Sequence, residues 1–201
     1  MSEIGNKIRE VFRESAVYKN PDNNEVFVGR NLPSFVKDYL IATHIDMNGS
    51  LRREAFQECG RDVKLYPGVS EWFDRVNSYG AERGVKIVHY INSSGLKEII
   101  EGTAIADRFQ KIYACSFLYN VDGIAYWPAV AVNYTNKTQF IFKINKGVES
   151  VFDTKQVNKY MEEKSRPVPF SRMIYVGDGM TDIPCMRLVK NFGGHSIAVY
   201  N

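Results

Sequence analysis

Residues 173–182 combine an apolar run with two carboxylates. The segment reads Met-Ile-Tyr-Val-Gly-Asp-Gly-Met-Thr-Asp, so Asp178 follows the apolar residues and Asp182 stands four positions later. Carboxylate oxygens are the ligands that Mg²⁺ prefers, and glycines on both sides of Asp178 let the backbone approach a ligand closely. The pattern predicts a strand that delivers Asp178 to a metal or phosphate site. A simple Asp-Gly turn is the alternative interpretation.

A second candidate segment has hydroxyl groups where a β-rich run gives way to a helical pattern. The run begins at Val85 and ends at Ser93-Ser94-Gly95, and helical spacing starts at once from Leu96. Free N–H groups at a helix N-terminus favour an anion, so a small hydroxyl placed there could help to bind one. Ser93 and Ser94 are both candidates, one register apart. The alternative is that one serine only caps the helix.

A third candidate is the lysine that opens the helical pattern of residues 137–146. Lys137 stands at the head of this pattern, and Gly147 supplies a stop. A cation in the first turn opposes the helix dipole, so Lys137 is a poor choice for stability alone. Lys143 and Lys146 are rivals, but they lie inside or at the end of the helix, where a cation is ordinary surface. The placement favours a functional role for Lys137.

The sequence Gly-Asp-Gly-Met-Thr-Asp at 177–182 resembles the fourth motif of the haloacid dehalogenase superfamily of hydrolases, in the branch similar to phosphoserine phosphatase. The resemblance implies that Ser93 hydrogen-bonds a phosphoryl oxygen, with Ser94 and Gly95 completing the phosphate-binding turn. It also implies that Lys137 is the family's third-motif lysine, which stabilises the nucleophile and the transferring phosphoryl group as a positive clamp.

The same resemblance implies a chemistry for the two aspartates. Asp178 would bind Mg²⁺ together with a nucleophilic aspartate and a nearby backbone carbonyl, and Asp182 would orient that shell. Ser93, Lys137 and Asp182 would then be the catalytic residues of this chain. The implied activity is Mg²⁺-dependent hydrolysis of a small phosphorylated metabolite through an aspartyl-phosphate.

The family's first motif, an apolar strand ending in Asp-x-Asp, has no counterpart at the start of the chain. Residues 1–17 show the pattern of an amphipathic helix. Asp46-Met-Asn48 imitates the motif but carries an amide, which cannot act as an acid or base, and the spacing over 33–45 is helical. We therefore expect the nucleophile to lie outside the 201 residues, and we expect the chain to begin inside the cap. The alternatives are Asp46 as nucleophile, or a catalytically inactive phosphate-binding or scaffold member of the fold.

The order of elements predicts an α/β fold: a Rossmann-like parallel sheet with helices on both faces, plus a small helical cap. We place the cap at residues 1–65 and the core, incomplete at both ends, at residues 66–201. Within them the patterns predict helices over about 4–16, 33–45, 51–59 and 70–83, the last burying Trp72, a paired set of strands at 112–119 and 124–132, and a final strand from 195.

Composition limits the class of protein. With 201 residues, of which 44% are hydrophobic, the chain can bury one substantial core. A net charge of +3 is too small to indicate nucleic-acid binding. The sequence contains neither GxGxxG, the motif of Rossmann-type nucleotide-binding enzymes, nor GxxxxGK[ST], the motif of P-loop enzymes. Nothing resembles a signal peptide or an apolar span, so we expect a cytoplasmic protein without a membrane partner. Its three cysteines, Cys59, Cys115 and Cys185, are expected to be buried thiols.

Overall fold

The computed structural model describes residues 52–199, which form a mixed α/β structure, as predicted. None of the helices in this range has both the length and the apolar character that a membrane span requires. The predicted helices at 4–16 and 33–45, and Asp46, lie outside the described residues. In chain order the elements are α1 Arg53–Arg61, α2 Val69–Ala81, β1 Tyr90–Leu96, α3 Lys97–Gly102, β2 Lys111–Tyr119, β3 Ala125–Val130, α4 Lys137–Lys146, α5 Thr154–Asn158, β4 Ile174–Gly177, α6 Ile183–Asn191 and β5 His195–Ala198.

The strands of the described region form two separate sheets. Strands β1, β2 and β3 form one sheet in that order, in which β1 and β2 are parallel and β3 is antiparallel to β2. Strands β4 and β5 form a parallel pair. Each of β1 and β4 therefore has one edge that is not paired with another described strand. The turn between β2 and β3 contains Gly123 at φ +75°, a left-handed conformation that glycine adopts without steric cost.

Helices α4 and α6 pack beneath β4 and supply the core that holds the site. The buried cluster joins Ile141 of α4, Tyr175 of β4 and Val189 of α6, with Phe170 and Cys185 completing it. On the opposite face of the β4–β5 pair, Ile174 and Val176 remain exposed. Parallel sheets are normally covered on both faces. This pair differs, because it has one packed face and one apolar face that is exposed.

Helix α1 packs closely against α3. The contact depends on two glycines: a Cβ atom at Gly60 would collide with the carbonyl oxygen of Ile99, and one at Gly102 with that of Gln57. An ion pair between Arg53 and Glu101, at 2.8 Å, lies alongside. The cap boundary at residue 65 stays a prediction. The structure shows that the part of 1–65 within its described range is firmly joined to α3.

Four finer predictions were wrong. Lys143 is fully buried and is not ordinary surface, because its ammonium donates to the backbone carbonyls of Ser150 and Asp153. The first strand runs from Tyr90 to Leu96 and does not extend from Val85 to Ser93. Its partner β2 begins only at Lys111, opposite Tyr90, and Leu96 still pairs with Cys115. Trp72 is exposed, since the stripe that α2 buries contains Phe73 and Gly80 and leaves Trp72 on its flank. Cys59 is also exposed, whereas Cys115 and Cys185 are buried free thiols as expected.

Candidate active site

Hydrogen bonds of Asn133 and Asn136 fix the loop before α4, and so they fix Lys137, the first residue of that helix. The Asn136 side chain accepts a hydrogen bond from the Asn133 backbone N–H at 2.8 Å and donates to the Ala131 carbonyl at 2.7 Å. The Lys137 N–H in turn donates to the Asn133 carbonyl at 3.0 Å. At its far end α4 stops at Gly147, which has φ +66°. Both ends of α4 are therefore fixed locally, and the position of Lys137 follows.

The ammonium of Lys137 lies against the carboxylate of Asp182. The Nζ to Oδ1 distance is 2.6 Å, and both side chains are more than nine-tenths buried. Tyr175 donates its hydroxyl to the same Oδ1 atom at 2.7 Å, while Oδ2 accepts the backbone N–H of Gly179 at 3.2 Å. Asp182 is thus held by three donors, and it joins the start of α4 to the loop that follows β4.

These contacts set the charge of the carboxylate. Burial alone would raise the pKa of Asp182, but hydrogen bonds from Lys137 and Tyr175 outweigh burial and hold the pKa below its ordinary value. Burial and the nearby carboxylate raise the pKa of the Tyr175 phenol. At neutral pH the cluster therefore contains an ionised Asp182 beside a tyrosine that keeps its proton and can donate it in a hydrogen bond.

Asn92 brings β1 to the same place. The Asn92 amide donates to the Lys137 carbonyl at 3.0 Å and lies 3.8 Å from the sulfur of Cys185. The next residue, Ser93, accepts the backbone N–H of Gly95 at 3.0 Å, so this N–H is already engaged within β1. The Ser93 hydroxyl keeps its own hydrogen for another acceptor.

Asp178 is exposed in the loop after β4, four residues before Asp182. No group of three His, Cys, Asp or Glu side chains with metal-site geometry occurs within residues 52–199. Mg²⁺ commonly keeps several waters and uses one or two carboxylates together with phosphate oxygens. Asp178 fits the role of one such carboxylate. Asp182 does not, since its two oxygens already accept three hydrogen bonds.

The structure thus brings Lys137 and Asp182 into contact and places Ser93 beside the residue that binds the Lys137 carbonyl. Ser94 and Gly95 follow within β1. Sequence reasoning missed Tyr175 and Asn92. Each had a signal: Tyr175 is a hydroxyl-bearing residue between Ile174 and Val176 in a short apolar strand, and Asn92 is an amide directly before the predicted anion-binding serine.

The pH dependence of stability should reveal the Asp182 carboxylate. Because its pKa in the folded state lies below its ordinary value of 3.8, ionised Asp182 stabilises the fold fully above that pH, and this contribution is lost as the pH falls through the folded-state pKa. We expect Asp182→Asn to be less stable than the wild type at pH 7. The difference should shrink as the pH falls below about 3.8, as measured by urea unfolding from pH 7 to pH 2.5.

Asp62→Asn is the matched control, since Asp62 is exposed at the end of α1. Its unfolding curve should follow that of the wild type at every pH. A difference between wild type and Asp182→Asn that stayed constant from pH 7 to pH 2.5 would contradict the assigned charge of Asp182.

Comparison with known proteins gives a match to a protein without a described function. No family model matches the sequence. An uncharacterized protein of Borreliella burgdorferi is 26% identical over 215 residues, which cover 96% of this chain and 72% of that relative. The chain is similar to that protein over nearly its whole length.

Proposed function

We propose that this chain carries most of the active site of a Mg²⁺-dependent phosphomonoester hydrolase of the haloacid dehalogenase-like kind, acting on a small phosphorylated substrate. The observation that carries the proposal is the buried contact between Lys137 and Asp182 at 2.6 Å. It brings a cation from the start of α4 to the loop after β4, where Asp178 lies. A buried charge pair is costly to desolvate, so its presence at this junction favours a functional reason for it.

The ammonium of Lys137 is suited to stabilise a phosphoryl group. It has three N–H groups, of which one is directed at Asp182, so the others can donate to phosphate oxygens in a charge-assisted hydrogen bond. Ser93, with a hydroxyl hydrogen to donate, would bind a further oxygen of the same group. Together they would hold the phosphate and stabilise the charge that develops during transfer.

Asp178 is the residue of this chain that would hold Mg²⁺. When bound, the ion would offset the charge of a phosphate and a carboxylate that approach each other. Asp178 fits this role because its carboxylate is exposed in a loop beside two glycines and has no described ion-pair partner. Asp182, which is engaged with Lys137, would keep that lysine in place and leave ion binding to Asp178.

A Rossmann-like parallel sheet is part of the proposal. The parallel pairs β1–β2 and β4–β5 are joined through side chains, because Asn92 of β1 and Asp182 after β4 both bind Lys137. One further strand lying between β1 and β4 would convert the two sheets into one. Ligands of open α/β sheets bind outside the carboxyl ends of the strands, and the end of this strand would face Ser93, Lys137 and Asp178.

That strand is also where a nucleophile would come from. An aspartate at its carboxyl end would attack phosphorus opposite Lys137, and a second acid two residues on would protonate the leaving oxygen and later activate water. We propose that this nucleophile lies outside the 201 residues. The chain alone would then bind inorganic phosphate but would not hydrolyse a phosphate ester.

Binding of the ion and of phosphate tests the proposal without any turnover. Mn²⁺ can substitute for Mg²⁺ as a paramagnetic probe, so we expect water proton relaxation to report Mn²⁺ binding and the ³¹P signal of inorganic phosphate to broaden with it. Asp178→Asn should weaken Mn²⁺ binding by about tenfold or more, because it removes a charged oxygen ligand.

The exposed Asp62 again provides the control, and Asp62→Asn should bind Mn²⁺ as the wild type does. Equal Mn²⁺ affinity in the Asp178→Asn and Asp62→Asn variants would remove Asp178 from the proposed site. If Lys137→Met binds phosphate as tightly as the wild type does, Lys137 is not part of the phosphate site.

A further inference from the structure

The geometry points to Tyr175 as a positioning residue that acts on Lys137 through Asp182. This inference rests on the proposed function, in which Lys137 holds the phosphate. Tyr175 and Lys137 donate to the same oxygen of Asp182, at 2.7 and 2.6 Å. The tyrosine therefore holds the same carboxylate oxygen that binds the ammonium of Lys137.

The geometry of the carboxylate explains why a second donor matters. An aspartate side chain can rotate about its terminal torsion, which is broad and roughly two-fold. Here Gly179 holds Oδ2 at 3.2 Å and Tyr175 holds Oδ1, so the carboxylate plane is defined before Lys137 approaches it. The Tyr175 ring is itself 9% exposed and packed in the core with Ile141 and Val189. Because the core holds the Tyr175 ring, the Tyr175 hydroxyl holds the Asp182 carboxylate, and Asp182 in turn holds the flexible side chain of Lys137.

Asn92 holds Lys137 at its backbone. Its amide donates to the Lys137 carbonyl at 3.0 Å, so the lysine is held at its backbone from β1 and at its ammonium from the loop after β4. A long lysine side chain loses much rotamer freedom when it is fixed at one position. Positioning it before the ligand arrives lowers the entropic cost of binding phosphate.

Tyr175→Phe tests the inference because it removes one hydroxyl and keeps the ring. We expect the affinity for inorganic phosphate, measured by titration calorimetry in the presence of Mg²⁺, to fall about fivefold or more, since a loosely held ammonium binds less well. Binding of Mn²⁺ alone, which depends on Asp178, should not change.

Tyr113→Phe is the matched control. Tyr113 is also buried, at 2% exposure, and its hydroxyl also makes one hydrogen bond, to the Val148 carbonyl at 3.3 Å. Both variants lose a buried hydroxyl, and both should melt at a somewhat lower temperature. Only Tyr175→Phe should lose phosphate affinity. If the two variants bind phosphate equally well while Lys137→Met abolishes binding, Tyr175 has a structural role only and the inference is wrong.

A second measurement is independent of phosphate. The ammonium of a buried, ion-paired lysine can be followed by ¹H–¹⁵N NMR, and we expect the Lys137 signal to report a rigid group in the wild type and in Tyr113→Phe but a more mobile one in Tyr175→Phe. Unchanged mobility in Tyr175→Phe would overturn the inference even if the chain bound no phosphate at all. Should Tyr175→Phe not fold, Asn92→Ala takes its place, with the same loss of phosphate affinity expected and its absence counting against the two-ended hold on Lys137.

Discussion

Lys137→Met should lower the free energy of unfolding by about 3–5 kcal/mol at pH 7, the usual cost of removing one partner from a buried ion pair. The methionine fills similar space, so the loss comes from the Asp182 carboxylate, which stays buried without its cation. Since that cost is electrostatic, it should diminish in acid as Asp182 takes up a proton. Urea unfolding at pH 7 and pH 3 measures both effects. The same variant should lose phosphate affinity by tenfold or more, because the charge-assisted hydrogen bond is gone.

Lys143→Met separates these two losses. Lys143 lies on the same helix and is fully buried, but its ammonium donates to the backbone carbonyls of Ser150 and Asp153, at 2.9 and 2.7 Å. Its removal should also destabilise the fold, since it leaves buried acceptors unpaired, yet phosphate affinity should match the wild type. Loss of phosphate binding in Lys143→Met, with none in Lys137→Met, would instead identify the rival lysine as the phosphate clamp.

A second large effect should follow when the chain is given a strand that ends in Asp-x-Asp. We expect an N-terminal extension of this kind to produce Mg²⁺-dependent hydrolysis of p-nitrophenyl phosphate, whereas the 201-residue chain should show none above background. The reason is that transfer through an aspartyl-phosphate contributes many orders of magnitude in rate, which positioning by Lys137 and a metal ion cannot replace. Asp178→Asn in the extended chain should abolish the activity.

Changing the first aspartate of the extension to asparagine is the control, and it should return the rate to background. Two results would contradict the proposal in different ways. Turnover by the 201-residue chain that disappeared in Asp46→Asn would make Asp46 the nucleophile. An extended chain that folds and binds phosphate but hydrolyses nothing would favour the catalytically inactive, phosphate-binding alternative.

Local patterns were sufficient to predict much of the described fold. The start of α4 at Lys137 and its end at Gly147 agree with the sequence signals, because both depend on neighbours within a few residues. Burial was predicted less well: Trp72 lies on α2 as expected but is exposed, since the helical period identifies a face and not its edges. The start of β1 depended on where β2 begins, which is a matter of long-range pairing.

The candidate site shows the same division. Asp178, Asp182, Ser93 and Lys137 were chosen from motifs, and the structure joins Asp182 to Lys137 across 45 residues of chain. The role of Tyr175 was missed, because a tyrosine in a strand is usually part of a packed face. Only the arrangement in space shows that its hydroxyl meets the same carboxylate oxygen as the lysine.

The two sheets of the described region are not joined by strand pairing. They are connected by α4, which packs against both, and by a few polar side chains, and this has a consequence for cooperativity. Backbone pairing transmits order along a sheet, so β4, β5 and α6 can open together while β1–β3 stay closed. The free energy of that partial opening depends chiefly on one ion pair and the core around Tyr175. In hydrogen exchange the β4 and β5 amides would then form a separate unit of lower protection, and a ligand that binds Lys137 and Asp178 together would merge the two units into one.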